Sequence, residues 1–327
     1  MAKVFVTRPI PGEGIRRLVD AFGENEVVVS SQDRIISRDE MLRGVKGVAA
    51  LLPILTDPVN SEVMDAAGPQ LKIIANYAVG YDNIDVVAAT ARGIAVTNTP
   101  GVLTETTADL AWALLMCAAR RISESERFLR AGKWTGWGPR LMLGVDVHGK
   151  VLGIFGMGRI GKAVARRAAG FNMQVIYHNR HRLPEPEEKS LNATYVDKET
   201  LLRESDFFSI HVPLTPDTTH AIGAAEFDRM KDTSCLINTS RGPVIDEKAL
   251  VRALKDGRIF AAGLDVFENE PNVVPELLDC ENAAPVPHLG SASRETRGKM
   301  AAMAAGNIIA RLSGDKPPNC VNPEVLG

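Results

Sequence analysis

Three residues with side chains suited to proton transfer and anion binding each lie just beyond a predicted β-strand: Arg241, Glu270 and His288. An imidazole such as that of His288 can donate a proton near neutral pH. A carboxylate bonded to it, such as Glu270, would fix its tautomer, and the guanidinium of Arg241 can bind a carboxylate. Taken singly, Arg241 also fits a structural ion pair, and His288 fits a histidine with local partners. These three residues alone therefore do not define a reaction, which depends on what else the chain binds.

A glycine-rich turn lies at 151–161, where the apolar strand sequence VLGIF runs directly into Gly156, Gly158 and Gly161. Gly156 permits a sharp turn, Gly158 lets the backbone approach a pyrophosphate, and Gly161 lets the next helix pack close to the sheet. The N-terminus of that helix offers N–H groups to phosphates. Because strand, turn, helix and next strand follow in order, the pattern predicts a dinucleotide site rather than an incidental glycine turn.

The residues after the second strand of this unit bear on the choice of cofactor. A carboxylate about 20 residues beyond such a glycine loop holds the ribose 2′-hydroxyl of NAD. Here Asn179 lies 18 residues after Gly161 and is followed by Arg180, His181 and Arg182. An amide and guanidinium groups would bind a 2′-phosphate that an acid would repel. The sequence therefore favours NADPH or NADP+, with NADH or NAD+ as the alternative and a solvated basic turn as the competing interpretation.

The gross properties of the chain exclude several classes of protein. Its 327 residues exceed the usual size of one core, which predicts two domains. The net charge of −2 gives no broad basic field for nucleic acid or an anionic membrane. The four cysteines are far apart, which predicts reduced thiols and no metal site. The N-terminus shows neither a signal peptide nor a membrane span, so we expect a cytoplasmic protein.

Strands and helices alternate in two regions, which is typical of parallel sheets covered by helices on both faces. The first region has predicted strands at 4–7, 27–29, 49–52, 73–75 and 94–97, with four helices between them. The second has predicted strands at 151–155, 175–177, 207–211, 234–238 and 261–265. A long helix at 104–120, N-capped by Thr104, separates them, and a helix at Arg294–Leu312 is expected to fold back onto the first region.

Six motifs together resemble the D-isomer-specific 2-hydroxyacid dehydrogenases, and within that family the glyoxylate and hydroxypyruvate reductases. These motifs are NYAVGYDNID at 76–85, TNTP at 97–100, the glycine turn, SRG at 240–242, AGLDVF at 262–267 and PHLGSA at 287–292. The resemblance covers essentially the whole chain. It implies two doubly wound parallel-sheet domains of the α/β class: a Rossmann NAD(P) domain at 99–288, inserted in a flavodoxin-like, discontinuous substrate-binding domain at 1–98 plus 289–327.

The resemblance also implies the activity. We expect NADPH-dependent reduction of a small 2-oxo acid, glyoxylate to glycolate or hydroxypyruvate to D-glycerate, with Arg241, Glu270 and His288 catalytic and His288 as proton donor. Further cofactor contacts are expected at Arg159, Ile160, Thr107, Val212, Pro213, Thr239, Ser240, Asp265 and Gly290. Substrate contacts are expected at Leu52, Val79, Gly80, Arg241 and His288, together with Trp137 from the partner subunit of a homodimer.

Two other functions share this architecture. A D-3-phosphoglycerate or another D-2-hydroxyacid dehydrogenase is one alternative, although the first would need cations for the substrate phosphate and usually an acidic residue for NAD. The other is a scaffold that senses NAD(H), resembling the transcriptional corepressors of this fold, in which the catalytic residues can persist. Against the scaffold stands the lack of a basic surface signal in the sequence.

Overall fold

A computed structural model describes residues 3–327 of the chain. These residues form two compact units: the first comprises the chain up to Leu103 together with Ser291–Gly327, and the second is Thr104–Gly290. The chain thus passes from one unit to the other at 103/104 and 290/291, a few residues after the boundaries at 98 and 288 expected from the sequence.

The first unit is built on a five-stranded parallel sheet. Its strands are β1 (Val4–Val6), β2 (Val27–Val29), β3 (Ala50–Leu52), β4 (Ile73–Ala75) and β5 (Ala95–Thr97), in the order β2-β1-β3-β4-β5. This is the flavodoxin-like doubly wound order. The connecting helices are α1 (Gly12–Phe22), α2 (Arg38–Gly44), α3 (Ser61–Ala67) and α4 (Val86–Ala91). Helices on both faces bury β1, β3, β4 and β5, which is why these short strands are almost wholly apolar.

The second unit contains a seven-stranded parallel sheet. Its strands are β6 (Val151–Phe155), β7 (Gln174–His178), β8 (Ala193–Tyr195), β9 (Phe207–Ile210), β10 (Cys235–Asn238), β11 (Ala261–Leu264) and β12 (Ala283–Pro285). The order β12-β11-β10-β9-β6-β7-β8 is that of a Rossmann sheet with one strand added beside β11. Its helices are α5 (Thr104–Ala119), α6 (Ile122–Arg130), α7 (Arg159–Ala168), α8 (Glu185–Leu191), α9 (Lys198–Glu204), α10 (Ala224–Phe227), α11 (Glu247–Lys255) and α12 (Pro275–Leu278).

The C-terminal helix α13 (Arg294–Leu312) completes the first unit, where it packs against α1 and β4. Ser293 caps it by accepting a hydrogen bond from the Thr296 N–H at 3.1 Å. Gly14 of α1 allows the close approach of the two helices, since a Cβ there would lie 2.7 Å from the carbonyl oxygen of Ala301.

Three details differ from the sequence predictions. Thr104 is the first residue of α5 rather than its N-cap. Strands β8 and β12, which were not among the predicted strands, form the two edges of the second sheet. Their sequences, ATY and AAP, contain no Val, Ile or Leu, unlike the equally short strands of the first sheet, so they lack the apolar run that predicts a strand.

Residues 3–327 lack two features that are typical of other protein classes. The helices in this range are too short or too polar to cross a membrane. Clusters of three or more His, Cys, Asp or Glu side chains able to hold a metal ion are absent from the same range. The cysteines Cys117, Cys235, Cys280 and Cys320 are free thiols.

Candidate active site

The glycine turn lies between β6 and α7, at the point where the strand order of the second sheet reverses. Gly156 has a φ of +103°, and a Cβ there would lie 2.6 Å from the backbone N of Val212, directly beyond β9. A Cβ on Gly161 would collide with the carbonyl oxygen of Gly156. Gly158, by contrast, precedes α7 and has open space where its Cβ would be. Two glycines therefore serve packing, and the third leaves room for a ligand.

These residues fit a dinucleotide. The ten-residue helix α7 begins directly after Gly158 and has no side-chain cap, so the N–H groups of its first turn are available to a pyrophosphate. At the same edge of the sheet, Thr239 Oγ1 and His211 Nδ1 are buried without a hydrogen-bond partner among residues 3–327. Burial lowers the pKa of His211 to about 3, so its ring is neutral. Buried polar atoms normally have partners, and a bound dinucleotide would supply them here.

Asn179, which stands where NAD-binding units carry an acid, is held by the glycine turn itself. Its Oδ1 accepts a hydrogen bond from the Met157 N–H at 2.6 Å. This bond fixes which end of the amide faces the turn and leaves Nδ2 as the donor available to a ligand. The following residues, Arg180 and His181, are exposed.

Arg182 is paired with a carboxylate of the same unit, and its contact with a 2′-phosphate stays a prediction. Its guanidinium forms a fork on Glu188, with distances of 2.9 Å to Oε1 and 2.7 Å to Oε2, and the Tyr177 hydroxyl donates to the same carboxylate at 2.6 Å. The hydrogen bonds from Arg182 and Tyr177 lower the pKa of Glu188, while burial and that carboxylate raise the pKa of Tyr177 to about 12. Arg182 thus helps to fix the turn at 179–183, because two N–H groups of its guanidinium are bonded to the carboxylate of Glu188, six residues further along the chain.

His288 and Glu270 form a hydrogen-bonded pair. His288 Nδ1 lies 2.8 Å from Glu270 Oε2, and the Phe267 N–H donates to Glu270 Oε1 at 3.0 Å. Burial by itself would raise the pKa of Glu270, but the hydrogen bond and charge of His288, the Phe267 N–H and the charge of Arg241 together hold it below its usual range. Glu270 is therefore ionised near neutral pH, and proton transfer between His288 and a substrate would use Nε2.

The turn that carries His288 is shaped by Asp265. His288 has a φ of +52°, an uncommon value for a non-glycine residue, and its N–H donates to the Asp265 carbonyl at 3.0 Å. The Asp265 carboxylate accepts the N–H groups of Leu289 and Gly290, and Thr107 Oγ1 donates to the Gly290 carbonyl at 3.0 Å. Burial raises the pKa of Asp265 to about 6 despite these donors. The structure thus gives Asp265 and Thr107 a positioning task, while their contact with a cofactor stays a prediction.

Arg241 follows β10 in a turn that Asn238 organises. Asn238 Nδ2 donates to the Arg241 carbonyl at 3.0 Å, and Asn238 Oδ1 accepts the Ser240 N–H at 3.0 Å. The next residue, Gly242, lies directly against the backbone of Phe267, where a Cβ would collide. The turns after β10 and β11 therefore touch, which brings Arg241 close enough for its charge to act on Glu270.

In the first unit, the turn after β4 presents backbone N–H groups. Its carbonyls are already engaged: Val79 accepts from Asn98 Nδ2 at 2.7 Å, and Gly80 accepts from Asn76 Nδ2 at 2.8 Å. The N–H groups of Val79 and Gly80 have no acceptor among the described residues, as an anion-binding turn requires.

Leu52 does not have the exposure that a substrate contact through its side chain requires. It is fully buried and belongs to the apolar cluster formed with Val4, Val6 and Leu18. Because β3 is covered on both faces, the side chain of its last residue still points into the core. The side chain of Leu52 thus belongs to the core of the first unit, and a contact of this residue with the substrate stays a prediction.

Trp137 lies in an irregular segment after α6. Its side chain is 84% exposed, and Trp134 and Leu143 nearby are 56% and 61% exposed. Apolar side chains this exposed and this close together in the chain are typical of a surface that another molecule covers.

Sequence reasoning missed the side chains that hold these turns. Asn83 donates through Nδ2 to the carbonyls of Ile54 and Asp57, both at 3.1 Å, and its Oδ1 accepts from Asn76 at 3.0 Å. Asn76 and Asn83 stand in the motif at 76–85, but the two carbonyls that Asn83 binds lie in the loop after β3, so the motif indicates a tight turn and not which carbonyls Asn83 binds. Glu247 and His220 were also missed and are described below.

A doubly wound parallel sheet with a glycine turn at its switch point, beside an Arg, Glu and His cluster, defines the class of dinucleotide-dependent oxidoreductases. Residues 112–290 match the family model described as "D-isomer specific 2-hydroxyacid dehydrogenase, NAD binding domain". The chain belongs to the D-isomer-specific 2-hydroxyacid dehydrogenase family and is an NAD(P)-dependent oxidoreductase.

Similar proteins cover the chain from end to end. A glyoxylate reductase of Korarchaeum cryptofilum is 55% identical, with 99% of this chain and 97% of the relative covered, and one of Thermococcus litoralis is 53% identical, with 99% and 98% covered. Among solved structures, an NADPH-dependent glyoxylate/hydroxypyruvate reductase of Sinorhizobium meliloti in complex with NADP and malonate is 36% identical, with a TM-score of 0.84 and 98% and 96% of the two chains covered.

Proposed function

We propose that this protein reduces glyoxylate to glycolate and hydroxypyruvate to D-glycerate, with NADPH as the preferred cofactor. The observation that carries the proposal is the 2.8 Å bond between His288 Nδ1 and Glu270 Oε2, within reach of the charge of Arg241 and in the same unit as the nucleotide turn. The names of the relatives that are 55% and 53% identical support the substrate, and the NADP complex of a structural relative supports the cofactor.

The side chains divide the work of reducing a 2-oxo acid. A bound dihydronicotinamide supplies the hydride for the ketone carbon. His288 donates a proton from Nε2 to the oxygen that becomes the hydroxyl, and Glu270 holds the ring through Nδ1. Arg241 binds the substrate carboxylate and polarises the carbonyl, an interaction that strengthens as negative charge develops on oxygen. One hydride and one proton together convert the 2-oxo acid into the 2-hydroxy acid.

The two units take separate roles in this proposal. Residues 99–288 hold the dinucleotide, with the pyrophosphate at Gly158 and the ribose 2′-phosphate at Asn179, Arg180 and His181. Residues 1–98 and 289–327 bind the substrate, whose carboxylate also accepts the N–H groups of Val79 and Gly80. The protein acts as a homodimer, and Trp137 of one protomer limits the substrate size in the active site of the other.

Steady-state oxidation of NADPH with glyoxylate and hydroxypyruvate tests the activity, and His288→Ala tests the mechanism. We expect kcat of the variant to fall about 100-fold or more, because general acid catalysis is lost. NADPH binding, measured by fluorescence titration, should stay close to that of the wild-type protein.

The matched control is His148→Ala, since His148 is an exposed histidine that contacts Asn172 on the surface. It should keep wild-type turnover. Wild-type turnover in His288→Ala would refute the role of His288, and an absence of turnover in the wild-type protein would favour a cofactor-sensing scaffold.

A further inference from the structure

Glu270 stands in the loop 266–274, which joins β11 to α12 and is called the Glu270 loop below. The loop contains no helix and no strand of the sheet, only a local antiparallel bridge between Asn269 and Asn272, so the sheet does not by itself fix where the Glu270 carboxylate lies. Side chains of other elements hold it instead, and two of them have no part in the mechanism described above.

Glu247, the first residue of α11, binds both ends of this loop. Its Oε2 accepts the Glu268 N–H at 2.8 Å, and its Oε1 accepts the Val274 N–H at 3.1 Å. Glu268 reciprocates, since its Oε2 accepts the Glu247 N–H at 3.2 Å. Glu247 is only 4% exposed, so its carboxylate is buried together with the backbone N–H groups that it accepts. Buried carboxylates that accept two backbone N–H groups are costly to replace.

His220 holds the same loop from the surface side. Its Nε2 lies 2.8 Å from Glu268 Oε1, and its backbone N–H donates to the Pro243 carbonyl at 2.8 Å, two residues after Arg241. His220 has a φ of +50°, a left-handed conformation that costs free energy and persists only where the surroundings impose it. Two His–Glu pairs thus hold the loop: His220 with Glu268, and His288 with Glu270.

We propose that Glu247 and His220 are positioning residues for the reduction, which hold the Glu270 loop so that Glu270 keeps its hydrogen bond to His288. Neither residue touches the substrate, and both act through Glu270. The inference rests on the proposed function, in which His288 donates the proton.

The chemistry of Glu247 explains why a carboxylate is needed. A carboxylate only accepts hydrogen bonds, and each of its two oxygens takes one N–H of the loop. A glutamine has the same shape but offers one oxygen and one NH₂ group. The NH₂ group would face a backbone N–H of the loop, so two donors would meet and one hydrogen bond would be lost. Glu247→Gln should therefore loosen one end of the loop without leaving a cavity.

The first experiment measures Glu247→Gln in the intact protein with glyoxylate and NADPH. We expect kcat to fall about 10-fold, less than for loss of the proton donor itself, with the KM for NADPH changed by less than about twofold. His220→Ala should lower kcat in the same direction, and it provides a second variant at an exposed position if Glu247→Gln does not fold.

Asp246→Ala is the matched control, because Asp246 caps the same helix by accepting the Ala249 N–H at 2.9 Å but makes no side-chain bond to the loop. It should lower the melting temperature and leave kcat unchanged. A similar loss of kcat in Asp246→Ala would mean that disturbing α11 is enough, and would overturn the proposal.

The second experiment combines Glu247→Gln with Glu270→Gln. If Glu247 acts through Glu270, then Glu247→Gln should change kcat by less than about twofold in the Glu270→Gln background. Independent, multiplicative losses would overturn the proposal, as would wild-type kcat in both Glu247→Gln and His220→Ala. If His288→Ala itself keeps wild-type turnover, the proposed function fails first and the positioning role falls with it.

Discussion

At the scale of single residues, the hydrogen bond from the Met157 N–H to Asn179 Oδ1 makes an unusually clean test of cofactor choice. An aspartate at this position could accept the same bond with one oxygen. The atom presented to the ribose would then change from an N–H donor to a charged oxygen, with little change in shape. The substitution therefore changes the group that faces the ribose of the cofactor and keeps the hydrogen bond to the glycine turn.

Asn179→Asp combined with Arg180→Ala should move the preference from NADPH towards NADH. The added carboxylate repels a 2′-phosphate and accepts a 2′-hydroxyl, and the loss of Arg180 removes an attractive charge. The measurement is the ratio of kcat/KM for NADPH to kcat/KM for NADH, which should fall by about 10-fold or more, the equivalent of about 1.4 kcal/mol.

Arg203→Ala is a control for the loss of a surface arginine, since Arg203 lies in α9, outside the turn at 179–182. It should leave the ratio unchanged. A ratio that also stays unchanged in the double variant would show that Asn179 and Arg180 do not read the 2′ position.

At the scale of elements, loops are fixed by amides and carboxylates that reach across from neighbouring loops. Asn83 links the loop after β3 to the turn after β4, through the carbonyls of Ile54 and Asp57 and the side chain of Asn76. Asn76 in turn holds the Gly80 carbonyl, next to the N–H groups proposed to bind the substrate carboxylate.

Asn83→Ala should therefore raise the KM for glyoxylate by about 10-fold, because the two hydrogen bonds that Asn83 donates and the one it accepts from Asn76 are lost, each worth about 1 kcal/mol, and the turn loosens. The KM for NADPH should stay within about twofold. Asn60→Ala is the matched control, because Asn60 caps α3 in the same unit by accepting the Val63 N–H at 3.3 Å. Equal changes in both variants would indicate a general loss of stability instead.

The same elements show what the sequence could predict. The parallel sheets and most strands followed from β-branched runs between helical patterns, and the helix predicted at Arg294–Leu312 has the bounds of α13, because the signals that start and end a helix are local. The fork of Arg182 on Glu188 and the bonds of Glu247 to the Glu270 loop could not be found, because their partners lie on other elements. The burial of the Leu52 side chain could not be predicted either, since a strand end alone does not show whether its side chain is covered.

At the scale of the whole molecule, the exposed segment after α6 bears on assembly. Trp137 and Trp134 are 84% and 56% exposed, which suits the proposed homodimer better than an isolated chain.

Trp137→Ala should raise kcat/KM for 2-oxo acids larger than hydroxypyruvate relative to glyoxylate by about 10-fold, because the size limit in the partner's active site is removed. Trp134→Ala, on the same segment, should leave this ratio unchanged. Sedimentation velocity on both variants separates the effect on assembly from the effect on specificity. An unchanged ratio in Trp137→Ala would assign that side chain to packing alone.

The path of the chain has a consequence for the order in which the molecule can be completed. Thr104–Gly290 is one continuous stretch, whereas the first unit needs α13 from beyond residue 290 to cover α1 and β4. On the ribosome, the nucleotide-binding half is therefore fully synthesised while the half begun earlier still lacks a helix. Until translation reaches Leu312, α1 and β4 lack the helix that packs on them, so the part of the molecule that is made first is completed last.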